Sequence, residues 1–197
     1  PKDPVALNLF NQKDLIEALE KAIQLDENYP PAYFYLGESF HLSGELEVAL
    51  SKLRLAYQLD PQNLEIREYL TAVETQKITI EVAAKLEEAK TYLSRGMDQN
   101  AIIEYEAILE LDPFNCEANF DLASIYIKQE NLELSKKYLQ NSVERNPNFV
   151  RGYQDLAKIN RQEGNLYESE INLHRILELN PNDFDSNLLM GEVLTES

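Results

Sequence analysis

Several residue types on which enzymes depend are scarce in this chain. Its 197 residues include one cysteine, two histidines and six glycines. A single cysteine, Cys116, excludes an intramolecular disulfide and a thiol-rich metal site. His41 and His174 lie far apart in the sequence, and no glycines have the spacing of a phosphate-binding loop. The sequence therefore indicates no catalytic centre, no metal site and no cofactor, and we expect the chain not to be an enzyme.

Basic residues are also few. Lysine and arginine together number 18 against 35 aspartates and glutamates, so the formal net charge is -17. Such a surface repels phosphate groups, which disfavours nucleic acid and anionic membranes as ligands. It attracts basic segments of other proteins, although an acidic surface also serves solubility alone.

Long apolar runs are absent as well. No run approaches the roughly 18 apolar residues that a membrane-spanning helix needs, and no signal peptide opens the chain. We therefore expect no direct membrane insertion, and a cytoplasmic location.

A short motif of the form Leu-Asp-Pro-x-Asn, or a near copy of it, recurs along the chain. Aligning the residues that close its copies, namely Glu27, Pro61, Pro113, Pro147 and Pro181, gives steps of 34, 52, 34 and 34 residues. A fixed period of this length predicts an array of stacked small units, whose product is an extended surface. Since the chain opens in the second half of one unit and stops inside another, we expect it to be part of a longer protein.

Small and large residues take fixed positions in the first full unit, and the other units keep part of this pattern. With Pro61 as position 32, small residues (Gly37, Ala49, Ala56) take positions 8, 20 and 27, and large ones (Tyr33, Leu36, Phe40, Leu53) take positions 4, 7, 11 and 24. Small residues let two helices approach closely, and large ones fill the grooves beside them. The pattern resembles the tetratricopeptide repeat. This resemblance implies an all-α fold, a TPR-type α-solenoid of antiparallel helix pairs that form a right-handed superhelix.

The period also predicts where the units begin and end. Glycine at Gly44, Gly96 and Gly164 suits the turn between two helices, and Asn63 and Asn115 can cap the helix that follows. The predicted segments are an irregular start (1–10), a lone second helix (11–29), four full units (30–63, 82–115, 116–149, 150–183), an inserted helix (64–81) and a lone first helix (184–197).

The long step contains 18 extra residues. Residues 64–95 hold no glycine or proline, so we expect them to be mainly helical. Eighteen residues make five full helical turns, so one long helix could carry them. The polar triplet 75–77 and the β-branched run 78–80 favour a break instead. Our interpretation is a break that bends or splits the array into two lobes, as a hinge, a docking point or a degenerate repeat.

In tetratricopeptide proteins the first helix of each unit lines a concave groove that holds a peptide. The resemblance therefore implies candidate ligand-facing residues at the groove positions. They are Phe34, Tyr35, Glu38, His41, Glu65, Glu68, Tyr69, Leu86, Glu87, Lys90, Glu117, Phe120, Asp121, Ser124, Arg151, Gln154, Asp155, Lys158 and Arg161.

Three acidic residues recur within this set at 34-residue steps: Glu87, Asp121 and Asp155. They could form a carboxylate row that receives lysine or arginine side chains of a peptide, beside apolar side chains. Alternatively, Glu87 pairs with Lys90, and Asp155 with Lys158, three residues on along one helix. The last unit is more basic and could prefer an acidic segment.

Two groove chemistries of the family are not matched. A carboxylate clamp of lysine and asparagine at positions 5 and 9 would fall on Phe34 and Glu38, or on Phe120 and Ser124. An asparagine ladder needs asparagine at position 6, where this chain has acidic residues or tyrosine.

We therefore expect a protein-interaction scaffold that binds a peptide or protein segment with basic and apolar side chains. The alternative is an accessory, substrate-recruiting or regulatory part of a larger enzyme. Self-association through the open end of the array, by Leu188, Met190 and Leu194, is a further possibility.

Overall fold

The computed structural model describes the backbone of residues 4–196 and the side chains of residues 12–196. Within that range the chain forms ten α-helices and no strand. The helices are α1 (Pro4–Leu25), α2 (Pro30–Leu42), α3 (Leu46–Leu59), α4 (Leu64–Ser94), α5 (Asp98–Leu111), α6 (Cys116–Lys128), α7 (Leu132–Arg145), α8 (Val150–Gln162), α9 (Leu166–Leu179) and α10 (Phe184–Glu196). The predicted all-α fold is confirmed.

The start of the chain differs from the prediction. Residues 4–10 are helical and belong to α1, so the irregular segment predicted for residues 1–10 is wrong there. Residues 1–3 lie outside the described part. Pro4 opens the helix, a position where proline is tolerated because the first backbone N–H groups of a helix have no partner within it. The Nε2 of Gln12 donates to the Ser39 carbonyl at 2.7 Å, which ties α1 to α2.

The turns between the helices of a unit lie where the sequence predicted them. Gly44, Gly96 and Gly164 all have positive φ angles between the helices of their units. In the unit 116–149 the same repeat position is Glu130, with φ of 60°. A side chain in this left-handed region costs free energy that glycine avoids. This unit therefore keeps the repeat's turn geometry without the residue that favours it.

The predicted asparagine caps are confirmed. The Oδ1 of Asn63 accepts the Ile66 N–H at 3.3 Å, and the Oδ1 of Asn115 accepts the Ala118 N–H at 3.1 Å. Each bond satisfies a backbone donor that the first turn of a helix leaves without a partner.

The long helix α4 runs without interruption from Leu64 to Ser94. The predicted break at 75–80 is therefore wrong. Three threonines of this stretch satisfy their hydroxyls within the helix: Thr71, Thr75 and Thr79 each donate to the carbonyl four residues earlier, at 2.8 to 2.9 Å. Contacts with α3 hold the same stretch, since Glu74 accepts from Arg54 at 2.8 Å and Lys77 bonds Glu47 at 2.7 Å.

Two compact units divide the chain, Pro1–Glu81 and Val82–Ser197, and the boundary falls within α4. The first unit has a core of apolar side chains from α2, α3 and α4, centred on Leu50, Leu53 and Val73. In it α2 and α3 pack closely, because a Cβ on Gly37 would lie only 2.6 Å from Cγ of Leu53. This contact explains the small residue at position 8.

The second unit has a layered core. One cluster joins α4, α5 and α6 around Tyr105, a second joins α6, α7 and α8 around Leu139, and a third joins α8, α9 and α10 around Leu173. Each cluster takes side chains from three successive helices. No helix buries its apolar stripe alone, as a stacked repeat requires.

Candidate functional site

The predicted ligand-facing residues of the first unit lie on α2 and the first half of α4. Tyr35 is 49% exposed, and Glu38 and Tyr69 are half-buried. Phe34 is only 6% exposed, because its ring packs edge-on against Tyr69 at 5.5 Å between centroids and joins the core of this unit. The prediction that Phe34 faces a ligand is therefore wrong, and Tyr35 is the exposed aromatic residue beside it.

A chain of polar contacts joins α2 to α4 in this unit. The Nδ1 of His41 lies 2.9 Å from the Tyr69 hydroxyl, and its Nε2 lies 2.7 Å from Oε1 of Gln76. The tautomer of His41 with its proton on Nε2 donates to Gln76 and accepts from the Tyr69 hydroxyl. Burial and the nearby Glu38 carboxylate raise the pKa of Tyr69. Gln76 was not among the predicted residues, because it lies in the triplet 75–77, where the sequence favoured a break in the helix.

In the second unit, Lys90 is the centre of an acidic cluster. Its ammonium lies 2.8 Å from Glu117 on α6 and 3.7 Å from Glu87 on its own helix. The negative charge of Asp121 also acts on it, and together these carboxylates raise the pKa of Lys90, the hydrogen bond to Glu117 contributing most. Three carboxylates thus surround one ammonium group. We call Glu87, Lys90, Glu117 and Asp121 the acidic cluster.

Asp121 is the half-buried member of the acidic cluster. It accepts a hydrogen bond of 2.7 Å from the hydroxyl of Tyr105, a side chain of α5 with no exposed surface. Burial raises the pKa of Asp121, while the Tyr105 hydrogen bond opposes that rise. Because the folded state holds this proton more tightly than the unfolded chain does, the carboxyl destabilises the fold as the pH rises through its folded-state pKa.

We expect Tyr105→Phe to raise the pKa of Asp121 further. The substitution keeps the ring and removes the hydroxyl that stabilises the carboxylate. The measurement is an NMR pH titration of the Asp121 side-chain carboxyl carbon in both proteins. Asp183, just before α10, serves as the internal control, and its lowered pKa should be the same in the two proteins. An unchanged or lowered Asp121 pKa would contradict the hydrogen bond.

The third member of the predicted carboxylate row behaves differently. Asp155 lies 3.5 Å from Lys158 on its own helix. The Glu87–Lys90 and Asp155–Lys158 pairs, which were the alternative to the row, therefore both form. Exposed pairs of this kind contribute little stability, typically about 0.3–0.5 kcal/mol. The structure gathers Glu87 and Asp121 around Lys90, while Asp155 has its own basic partner.

The basic end of the predicted surface is partly neutralised by α10. The guanidinium of Arg161 bonds the carboxylates of Glu192 and Glu196, and these contacts lower the pKa of Glu196. Arg151 and Lys158 are exposed on the same helix. An acidic ligand segment at this end would have to compete with α10 for Arg161.

The remaining predicted residues range from partly buried to exposed. Leu86 and Phe120 are partly buried against the core clusters, and the Phe120 ring meets Phe149 edge-on at 5.0 Å. The Ser124 hydroxyl donates to the Phe120 carbonyl within α6. Gln154 reaches Asp183 at 3.5 Å. On α4, Glu65 and Glu68 are exposed.

The apolar residues proposed for self-association are divided by the fold. Leu188 and Leu194 on α10 are each 55% exposed, whereas Met190 is buried in the third core cluster. Met190 is therefore not available to a partner, contrary to the prediction.

Three further properties concern metal binding, membrane-spanning helices and the single thiol. Among side chains 12–196, no three histidine, cysteine, aspartate or glutamate residues are grouped as a metal ion would need. Within residues 4–196, every helix falls short of the length or apolar character that crossing a bilayer demands. Cys116 is a free, half-buried thiol whose pKa is raised by burial.

Family models decide the classification. Models described as tetratricopeptide repeat match residues 16–63 and 117–149. The chain contains tetratricopeptide repeats. No curated protein has a sequence that matches it significantly.

Solved structures of tetratricopeptide repeat proteins share the fold. The TPR2AB domain of yeast Sti1, in its pHSP90 complex, has a TM-score of 0.56 and 16% identity, over 96% of this chain and 80% of that one. YrrB, a TPR protein with an unusual peptide-binding site, has a TM-score of 0.52 and 22% identity, over 91% and 84%. The first TPR of Spaghetti (RPAP3), bound to the HSP90 peptide SRMEEVD, has a TM-score of 0.53 and 21% identity, over 58% and 91%. At these identities the likeness concerns the fold.

Proposed function

We propose that this chain is a protein-interaction scaffold whose first-helix face binds a polypeptide segment with basic and apolar side chains. We call the groove-position residues of the unit Val82–Ser197, on α4, α6 and α8, the first-helix face. The observation that carries the proposal is the acidic cluster, in which three carboxylates share one ammonium group. Carboxylates in excess on an exposed surface attract lysine and arginine side chains of a partner.

The apolar part of the proposed surface comes from the same helices. Phe120 and Leu86 are partly buried at position 5, beside the acidic positions. Aromatic side chains beside carboxylates suit a ligand that alternates basic and apolar residues. Rigid helices hold these groups in place, so most of the conformational entropy lost on binding is the ligand's.

Peptide binding by structurally similar proteins supports this class of function. Yeast Sti1 and Spaghetti (RPAP3) were solved with HSP90 or a peptide from it, and YrrB has a peptide-binding site. The ligand of this chain should differ from the acidic HSP90 peptide. The lysine and asparagine positions of a carboxylate clamp are occupied here by Phe120 and Ser124, or by Leu86 and Lys90.

The test is a selection of random displayed peptides on the wild-type chain, followed by binding measurements with the selected sequences. We expect the peptides to be enriched in lysine, arginine and large apolar residues. Glu87→Lys, Glu117→Lys and Asp155→Lys together should weaken their binding by about tenfold or more, since rim and partly buried charges both contribute. This triple variant leaves Asp121 unchanged, because Asp121 accepts the hydrogen bond of the buried Tyr105 hydroxyl.

A matched variant controls for net charge. Glu106, Glu110 and Glu133 are exposed on the second helices α5 and α7. Reversing them changes the net charge by the same amount and should leave affinity within about twofold apart from general screening effects. Equal losses in the two triple variants, or selected peptides that are acidic, would refute the proposal.

A further inference from the structure

A second candidate site lies in the unit Val82–Ser197, away from the first-helix face. A cavity of about 450 Å³ is bounded by α7 and α9, with α8 as its floor. None of the groove-position residues predicted from the sequence lines it. The residues that matter for its chemistry are Gln140, Glu144, Tyr153, Asn160, Glu168 and Asn172. We call it the α7–α9 cavity.

The cavity arises from a departure from the repeat. In the preceding unit, Tyr126 on α6 and Tyr138 on α7 stack with ring centroids 5.6 Å apart and planes only 3° from parallel. The residues 34 positions later are Asn160 on α8 and Asn172 on α9, and both line the cavity. Two amides thus replace two stacked rings. Because an asparagine side chain is much smaller than a tyrosine ring, space remains between the helices.

Asn160 is a buried polar group at the floor of this space. Only 5% of the residue is exposed. Its side-chain amide has no hydrogen-bond partner among the described residues, although its backbone carbonyl accepts from Asn165. Its amide atoms are not sealed from solvent, since they reach the cavity, where a ligand could bond them. The cavity therefore holds a polar group ready to bond a ligand.

Two other amides of the cavity lining each have one N–H donor engaged. The Nδ2 of Asn172 donates to the Glu168 carbonyl at 2.6 Å, and the Nδ2 of Asn165 donates to the Glu163 carboxylate at 3.1 Å. Neither acceptor can donate, so both amide orientations are determined and both Oδ1 atoms remain as acceptors. The ammonium of Lys136 is also engaged, at 2.6 Å from Glu163.

Two carboxylates, which accept but cannot donate, make the cavity lining richer in acceptors. Glu144 and Glu168 line the cavity, and neither carboxylate forms an ion pair among the described residues. Tyr153 contributes an aromatic side chain to the same wall. A ligand that complements the cavity must therefore be rich in donors, positively charged and able to lie against a ring.

We propose that the α7–α9 cavity binds the guanidinium group of an arginine side chain presented by a partner polypeptide. Guanidinium has five N–H donors in one plane and no acceptor, which matches acceptors spread over several side chains. Its flat face also packs against an aromatic ring. A lysine ammonium is a compact point charge and matches this arrangement less well. The site is independent of the first-helix face and would add a second contact to any partner bound there.

The test uses Nα-acetyl-L-arginine amide as the probe and NMR spectra of the ¹⁵N-labelled chain as the readout. We expect saturable shifts of the Asn160 and Asn172 side-chain amides and of backbone amides in α7 and α9. Nα-acetyl-L-citrulline amide has the same shape without the charge and should bind at least about tenfold more weakly, as expected when a charge-assisted hydrogen bond is lost. Nα-acetyl-L-lysine amide should also bind more weakly than the arginine probe.

Three double variants separate the site from general electrostatics. Glu144→Gln with Glu168→Gln should weaken arginine binding by about tenfold or more, because both carboxylates lose their charge. Glu110→Gln with Glu133→Gln changes the net charge equally at exposed positions outside the cavity and should have little effect. Asn160→Tyr with Asn172→Tyr restores the ring pair of the preceding unit, fills the cavity and should abolish the shifts.

Several results would overturn the proposal. These are equal binding of the arginine and citrulline probes, equal effects of the two glutamine pairs, or shifts that appear on the first-helix face and not around Asn160. If the double tyrosine variant does not fold, the glutamine pairs still decide, since all four substituted residues make no described ion pair and lie on the surface or the cavity wall.

Discussion

Replacing Tyr105 with alanine is expected to lower the free energy of unfolding by about 3–5 kcal/mol, the range for truncating a large buried aromatic side chain. Tyr105 has no exposed surface and is the largest fully buried side chain of the described residues. Its ring lies in the cluster that joins α4, α5 and α6. The measurement is chemical denaturation followed by circular dichroism, with the unfolding midpoint and slope compared between variants.

Tyr105→Phe separates the ring from the hydroxyl. It should cost only about 1 kcal/mol, because the core stays filled and the half-buried Asp121 carboxylate can replace the lost bond with water. Hydrogen exchange should show the damage of Tyr105→Ala mainly in α4, α5 and α6, since a repeat contacts chiefly its neighbours. Equal stabilities of the alanine and phenylalanine variants would contradict the packing described for this ring.

Replacing Thr79 with proline is expected to destabilise the chain by about 3 kcal/mol or more, the cost of proline in a helix interior. Thr79 lies in the middle of the uninterrupted helix α4, and its hydroxyl bonds the Thr75 carbonyl at 2.9 Å. Proline removes the backbone donor of residue 79 and clashes with the preceding turn. Denaturation and the helical signal in circular dichroism measure the effect.

The control at this position is Thr79→Ala. Alanine has the higher helix propensity, so this variant should be as stable as the wild type or slightly more stable. If proline and alanine gave equal stabilities, the backbone at residues 75–80 would not be helical, and the break predicted from the sequence would be correct.

Local signals in the sequence predicted most of the fold. The recurring Leu-Asp-Pro-x-Asn motif gave the repeat positions, and the residues at those positions predicted the turns. Glycine at positions such as Gly44 tolerates a positive φ, and asparagines such as Asn63 cap the next helix. These effects act within a few residues, so the sequence alone reveals them. The same local reasoning failed at 75–80, where β-branched and polar residues lower helix propensity by only tenths of a kcal/mol each. Contacts of Glu74 and Lys77 with α3 outweigh so small a preference.

The candidate surfaces were less predictable, because exposure and pairing depend on the neighbouring helix. Position 5 faces a ligand in the family, yet Phe34 is covered by Tyr69 from α4. The sequence suggested the pair of Lys90 with Glu87, which are three residues apart on one helix. It did not reveal the shorter contact of Lys90 with Glu117, 27 residues later on the next first helix. The sequence shows Asn160 at position 11, where the first full unit has Phe40, but it does not reveal the cavity beside Asn160.

By itself, the sequence determined the repeat, its period, the helical class and the acidic charge of this protein, since these follow from residue spacing and composition. The tertiary structure decided which charged groups meet, which aromatic residues are buried and where space remains between helices. The physical reason is that ion pairs, burial and cavities depend on distances between side chains from different helices. Stacking sets those distances: it brings Glu117 to Lys90, Tyr105 to Asp121, and leaves the α7–α9 cavity above Asn160.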